Sequence, residues 1–161
     1  VTNGDYRLVA ARIRKELKAI AQVAARVQGA WQLPALEAND YRVDVAGLNL
    51  HGFYAGLERV FLVVAERIDA SVPAGANWHQ ELVQQMAMEL PGVRPQAISP
   101  EMAQALDPCR GFRHVVRNVY AYVLDPRRVG ELVDDLPATL ADVREQLMRF
   151  ADALEAIAGA E

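Results

Sequence analysis

Leu50-His51-Gly52-Phe53-Tyr54-Ala55-Gly56-Leu57-Glu58-Arg59-Val60-Phe61-Leu62-Val63-Val64-Ala65-Glu66-Arg67-Ile68 decides the fold. Leu50, Tyr54, Leu57, Phe61, Val64 and Ile68 recur in steps of three and four, which places them on one face of a helix. Phe53, Val60 and Val63 widen that stripe, and a face this wide needs more than one neighbour to cover it. The spacing predicts a helix from about Asp40 to Ala70. His51 sits beside the stripe and reads as a partly buried, hydrogen-bonded histidine.

Upstream, Ile13, Leu17, Ile20, Ala24, Val27 and Trp31 repeat the pattern, and Arg14, Lys15 and Lys18 fall on the opposite side. This predicts an amphipathic helix from Asp5 to Trp31, capped by Asn3 or Asp5 and ended by Gly29 and Pro34. Downstream, residues 71–76 hold Pro73 and Gly75 and read as a loop. Asn77-Trp78-His79-Gln80 has the form of a capping box, opening a helix that carries Leu82, Met86 and Leu90 and stops at Pro91-Gly92. His79, in the first turn of that helix, reads as structural.

Ser99-Pro100, Asp107-Pro108 and Asp125-Pro126 share one device, a capping side chain before a proline at the first helical position. They predict a short helix from Pro100, a central helix from Pro108 and another short helix from Pro126. Asp135-Leu136-Pro137 then opens a last long helix with Leu140, Val143, Leu147, Phe150, Leu154 and Ile157 on one face. No alternating strand pattern and no internal repeat intervenes. The expectation is an all-α up-and-down helical bundle of four main helices plus short connecting helices, forming a single domain over residues 1–161.

Composition narrows the function. The chain is 52% hydrophobic and 24% charged, as a globular chain is. Its net charge of -4 argues against a general nucleic-acid coat, which needs a broad cationic face, but permits a local basic cleft on an acidic body. Cys109 is the only cysteine, so no disulfide can form within the chain and a cytoplasmic location is expected. The longest strongly apolar run, Val60 to Ala65, is too short for a bilayer, and no membrane association is expected. His51, His79 and His114 are scattered, with no His-x-x-x-His or Glu-x-x-His spacing, so neither a metal nor another cofactor is expected. Ser71 and Ser99 give no support to a serine nucleophile system.

Chemistry concentrates in Cys109-Arg110-Gly111-Phe112-Arg113-His114-Val115-Val116-Arg117-Asn118-Val119-Tyr120-Ala121-Tyr122-Val123. On a helix, Arg113, Arg117 and Tyr120 share a face, and Arg110, Arg113, His114 and Arg117 form an adjoining cationic stripe. Unpaired guanidinium groups resist burial, so an anion or solvent must meet them. A phosphate backbone fits, since arginine grips phosphate oxygens bidentately. Carboxylates of neighbouring helices, with Glu58, Glu66 and Glu81 as candidates, fit as well, and the residues alone leave both open.

This stretch is similar to the motif of HEPN domains, specifically the HepT-like ribonuclease toxins of toxin–antitoxin pairs. Their pattern is an arginine, four to six residues, a histidine, then one residue and a tyrosine. Arg113 matches the arginine and Tyr120 the tyrosine, while the histidine position falls on Asn118. Leu50 to Arg59 and Trp78-His79-Gln80-Glu81-Leu82 also resemble this group, and the likeness runs from about Asn39 to the end. The resemblance implies a homodimer whose paired motifs form a metal-independent RNA-cleaving cleft, with Arg113, Asn118 and His114 at its centre. Arg110 and Arg117 would hold the RNA phosphates. It implies a nucleotidyltransferase (MntA-like) antitoxin as partner, which adds AMP to the motif tyrosine, here Tyr120. Asparagine can orient a phosphate or a water but exchanges no proton near neutral pH. Three explanations stand: His114 supplies the proton transfer, the protein binds RNA or a nucleotidyltransferase without cutting, or the asparagine is an inactivating replacement. A structural helical dimer with its arginines paired to carboxylates is the further alternative.

Overall fold

A computed structural model describes residues 1–34, 41–117 and 124–160 of the chain, with side chains over 1–34, 41–112 and 124–160. Among the described residues six helices follow one another: α1 (Asn3–Trp31), α2 (Tyr41–Arg67), α3 (Trp78–Met86), α4 (Pro100–Ala105), α5 (Asp107–Arg117) and α6 (Pro126–Gly159). Among the described residues there is no strand, and Leu90 and Arg94 form an isolated bridge.

The direction of the main helices follows from their side-chain partners. Trp31 of α1 lies under the Arg42 guanidinium of α2, while Glu16 meets Arg59, so α1 and α2 run antiparallel. Arg7 donates to the Ala158 carbonyl and Gln28 to that of Val133, so α6 is antiparallel to α1 as well. On the other side of α2, Arg110 senses Tyr54 and Phe112 lies over Gly47, so α5 runs back along α2. The order α1, α2, α5, α6 is therefore up, down, up, down, with α3 and α4 bridging α2 to α5.

The core is the set that the periodicity picked out. Leu50, Tyr54, Leu57, Phe61, Val64 and Ile68 of the α2 region are all buried, as are Ile13, Leu17, Ile20, Ala24 and Val27 of α1. From the α6 side come Val143, Leu147, Phe150 and Leu154. Burying side chains of this size contributes about 1.5–3 kcal/mol each. At Gly56 a Cβ would stand 2.6 Å from Ile20 Cγ1, so the missing side chain is what lets α1 and α2 approach.

Several helix ends differ from the sequence reading, each for a stated reason. Thr2, rather than Asn3 or Asp5, caps α1, and its hydroxyl accepts from the Asp5 N–H at 3.2 Å while the Asp5 carboxylate accepts from the Thr2 N–H at 2.9 Å. The Thr2 hydroxyl also donates to that carboxylate at 2.9 Å, and the bonds from the Thr2 N–H and hydroxyl hold the Asp5 carboxyl below its ordinary range. Asn77 precedes α3 with φ -105° and ψ 13°, away from the extended backbone that aims a capping side chain, and it makes no side-chain cap. Asp107 is the first residue of α5 rather than its cap; the first bond of that helix runs from the Arg110 N–H to the Leu106 carbonyl. Ser99 and Asp125 do cap, accepting from the N–H groups of Met102 and Arg127.

The helix expected to end at Pro91-Gly92 stops at Met86. Its last carbonyls are taken from outside: the Ala97 and Ile98 N–H groups donate to Met86, and the Arg94 guanidinium donates to Gln85 and Met88. The short helix expected from Pro126 and the long one expected from Pro137 are one continuous helix of 34 residues. Pro137 has no N–H for the Val133 carbonyl, four residues back, and Gln28 of α1 donates its side-chain amide to that carbonyl at 2.9 Å. Gln28→Leu therefore leaves a part-buried acceptor without its donor. It lowers unfolding free energy by about 1–3 kcal/mol in urea titration, and Pro137→Ala in the same background restores part of the loss. An unchanged midpoint for Gln28→Leu refutes this account.

Candidate functional site

The chemistry-bearing stretch begins on α5, and three apolar anchors seat that helix. Phe112 is buried over α2 where Gly47 leaves room: a Cβ there would meet Leu124 Cδ1 at 2.5 Å and the Phe112 ring at 3.4 Å. Leu106, which joins α4 to α5, is fully buried. Cys109 turns toward α6, beside Leu132 and Leu136. Burial, with a smaller contribution from Asp135, pushes its thiol up to about 11, so at neutral pH it stays a thiol and is no nucleophile.

With those anchors facing inward, Arg110 stands at the surface of the first turn. Its Nε donates to Asp107 Oδ1 at 2.8 Å, and this bond reinforces the protonated guanidinium. The carboxylates expected for the arginine stripe are Glu58, Glu66 and Glu81. The partner of Arg110 comes instead from its own helix, and Glu66 and Glu81 stand exposed. Positions 113 and 117 continue the helix one turn apart, so Arg113, His114 and Arg117 share the α5 backbone with Arg110. The side chains of Arg113, His114 and Arg117 lie outside the described residues, as do Asn118 and Tyr120.

A second polar group joins α2 and α3. His79 Nδ1 lies 2.5 Å from Glu58 Oε2, joining the first turn of α3 to the middle of α2. The Glu58 side chain is 7% exposed and that of His79 is 21% exposed, so the contact is largely sheltered from solvent. Trp78 stacks on the His79 ring with centroids 3.5 Å apart. The pair is the structural role expected of His79, and it ties α3 to α2. Glu58 and His79 are 21 residues apart, so no local pattern could announce them. His51, three residues before Tyr54 on α2, is partly buried.

A third polar group is deeper still. The Arg94 side chain is fully buried, and all five of its N–H bonds are used. Nε and one terminal nitrogen donate to the two oxygens of Asp69 at 2.6 and 2.7 Å. The remaining three reach the carbonyls of Gln85, Met88 and Pro95. Gln85 adds a bond to Asp69 at 2.6 Å and another to the Ser71 carbonyl. This cluster fixes the end of α2, the end of α3 and the Leu90–Arg94 turn in one unit, in which Gly92 supplies the positive φ of 75°.

Between α3, α4 and the first turn of α5 lies an open cleft of about 550 Å³, with Arg110 and Asp107 at its α5 end. Among the described residues, no group of three or more His, Cys, Asp or Glu side chains could hold a metal ion. No helix is long and apolar enough to cross a membrane, again among the described residues. Residues 45–154, from the second turn of α2 to near the end of α6, match the model of a family described as HepT-like protein. No curated protein and no solved structure matches the chain.

Proposed function

The chain belongs to the HepT-like protein family, and from that premise we propose that it is the toxin of a toxin–antitoxin pair, a metal-independent endoribonuclease working at a cleft between two copies. The observation that carries this reading is the family match running through α5 and the arginine-rich stretch, with positions 113 and 117 one helical turn apart. In this reading Arg113 and Arg117 hold the scissile phosphate and stabilise the charge that develops on it, and Arg110 binds the strand at the edge of the site. The ribose 2′-OH attacks the adjacent phosphorus and gives its proton to a base. The 5′ oxygen of the next nucleotide leaves with a proton from an acid, so a cyclic phosphate and a 5′ hydroxyl result. Asn118 orients phosphate or water, and His114 carries the proton. AMP added to Tyr120 by a nucleotidyltransferase antitoxin blocks the cleft.

The homodimer has support on α2. Tyr41, Val45 and Leu48 follow at steps of four and three, and are 61%, 43% and 64% exposed. Large apolar side chains aligned on one exposed helix face suit a surface that a second copy covers.

Purified protein is expected to cleave single-stranded RNA in excess chelator, and Arg113→Ala to lower the rate by about 100-fold or more. Equal cleavage by Arg113→Ala rejects the role of that arginine. The asparagine at position 118 favours a second reading, a non-catalytic module that binds a nucleotidyltransferase. Its signature is a stable complex and AMP transfer to Tyr120, with no cleavage of any RNA pool.

A further inference from the structure

We propose that the cleft between α3 and α4 is a base-reading subsite, which takes one unpaired nucleobase of the RNA strand, adenine in preference to uracil. The inference rests on the ribonuclease reading for its ligand class, and on the side chains of the cleft for everything else.

Three amides face the cleft: Gln80 and Gln84, one turn apart on α3, and Gln104 across from them on α4. All three are exposed, and none of the three side-chain amides makes a hydrogen bond among the described residues. Other glutamines are committed to the fold: Gln28 serves Val133, Gln85 serves Asp69 and Ser71, and Gln146 accepts from the Ser99 N–H. Each cleft amide therefore brings two donors and one acceptor to a ligand at no structural cost. Val83 and Met88 supply apolar surface between them, suited to the face of a flat ring.

Charge selects the ligand. Among the lining residues the ionised groups are Arg110 and Asp107, and they pair with each other. A phosphate seated here would meet the Asp107 carboxylate, whereas a neutral ring with both donors and acceptors meets no opposing charge. Glutamine matches adenine through paired hydrogen bonds, accepting from N6 and donating to N7. Single-stranded RNA presents its bases in this way, splayed out and readable at their edges.

Position completes the argument. Arg110 precedes Arg113 and Arg117 by three and seven residues on α5, about 4.5 and 10.5 Å along the axis. In the ribonuclease reading, a strand whose phosphate is held at those two positions of α5 reaches the cleft with its neighbouring nucleotide.

The test uses fluorescein-labelled oligoadenylate and oligouridylate hexamers whose 2′ positions are methylated, so that binding is read without cleavage. Anisotropy titrations of the full chain are expected to give about tenfold tighter binding of the adenylate. Gln84→Ala with Gln104→Ala is expected to bring the two affinities together, and Arg113→Ala to weaken both while keeping their ratio. Both glutamines are exposed, so the double variant folds. Equal binding of the two hexamers by the unaltered protein overturns the subsite but leaves the RNA reading standing. Binding of neither hexamer rejects the RNA reading, and the subsite with it. A glutamine double variant that keeps the adenylate preference but loses a nucleotidyltransferase complex makes the cleft a protein-docking surface and overturns the proposal.

Discussion

Replacing Arg94 by methionine is expected to lower the unfolding free energy by about 3–5 kcal/mol, the largest effect of any single polar change among the described residues. The reason is what remains behind. The Asp69 side chain is 1% exposed, and Arg94 supplies two of its hydrogen bonds; without them a carboxylate stays buried with Gln85 as its described partner. The carbonyls of Met88 and Pro95 lose their donor as well, and that of Gln85 loses its bond from the guanidinium. Removing both charges is milder: Arg94→Met with Asp69→Leu is expected to recover much of the loss, because a buried ion pair adds little net stability over apolar groups of similar size. Urea titration of the two variants reads the difference. A loss under 1 kcal/mol for the single change contradicts the account. Because the same cluster holds the end of α3, the single change also loosens the wall that carries Gln80 and Gln84.

Most of the bundle was legible because its cause is local. The steps of three and four in α1, α2 and α6 name residues that are buried in the fold, apart from Trp31, Val63, Leu140 and Ile157, which are half-buried against the core. Ser99-Pro100 and Asp125-Pro126 start helices because the cap and its target N–H lie within three residues of each other. The readings that differ share another kind of cause. Pro137 reads as a helix start because its lost hydrogen bond is visible in sequence, while the compensating donor, Gln28, is 105 residues from its acceptor Val133. The stop at Met86 depends on Arg94 and on backbone groups that return beside it. Neither partner has a positional signature.

The site divides in the same way. Arg110, Arg113, His114 and Arg117 stand out because eight consecutive positions of one helix hold four basic or titratable side chains among apolar ones. Glu58 with His79, and Asp69 with Arg94, are as polar, yet each residue alone resembles an ordinary surface charge. The cleft glutamines were hidden for the opposite reason. Gln80, Gln84 and Gln104 occupy the polar faces of short helices, where glutamine is ordinary, and only the meeting of α3, α4 and α5 turns them toward one space.

Asn118→His is expected to raise the rate of RNA cleavage by about 100- to 10,000-fold, the contribution that a positioned acid–base group makes. Arginine at position 113 can stabilise charge on a phosphate, but neither it nor asparagine exchanges a proton near neutral pH. An imidazole at position 118 adds that step, and because its ordinary pKa is near 6.5 it is available in both protonation states there. The measurement is single-turnover cleavage of one labelled RNA in chelator by the unaltered protein, Asn118→His and His114→Gln. If His114 carries the proton in the unaltered protein, His114→Gln lowers its rate by a similar factor, and the same change in Asn118→His has a much smaller effect. If the rate of Asn118→His equals that of the unaltered protein while both cleave, position 118 plays no part in proton transfer and the motif alignment fails at its central residue. If only Asn118→His cleaves, the unaltered chain is a binding module whose arginines and tyrosine outlast the chemistry. That outcome assigns Tyr120 to partner recognition instead of to the control of a nuclease.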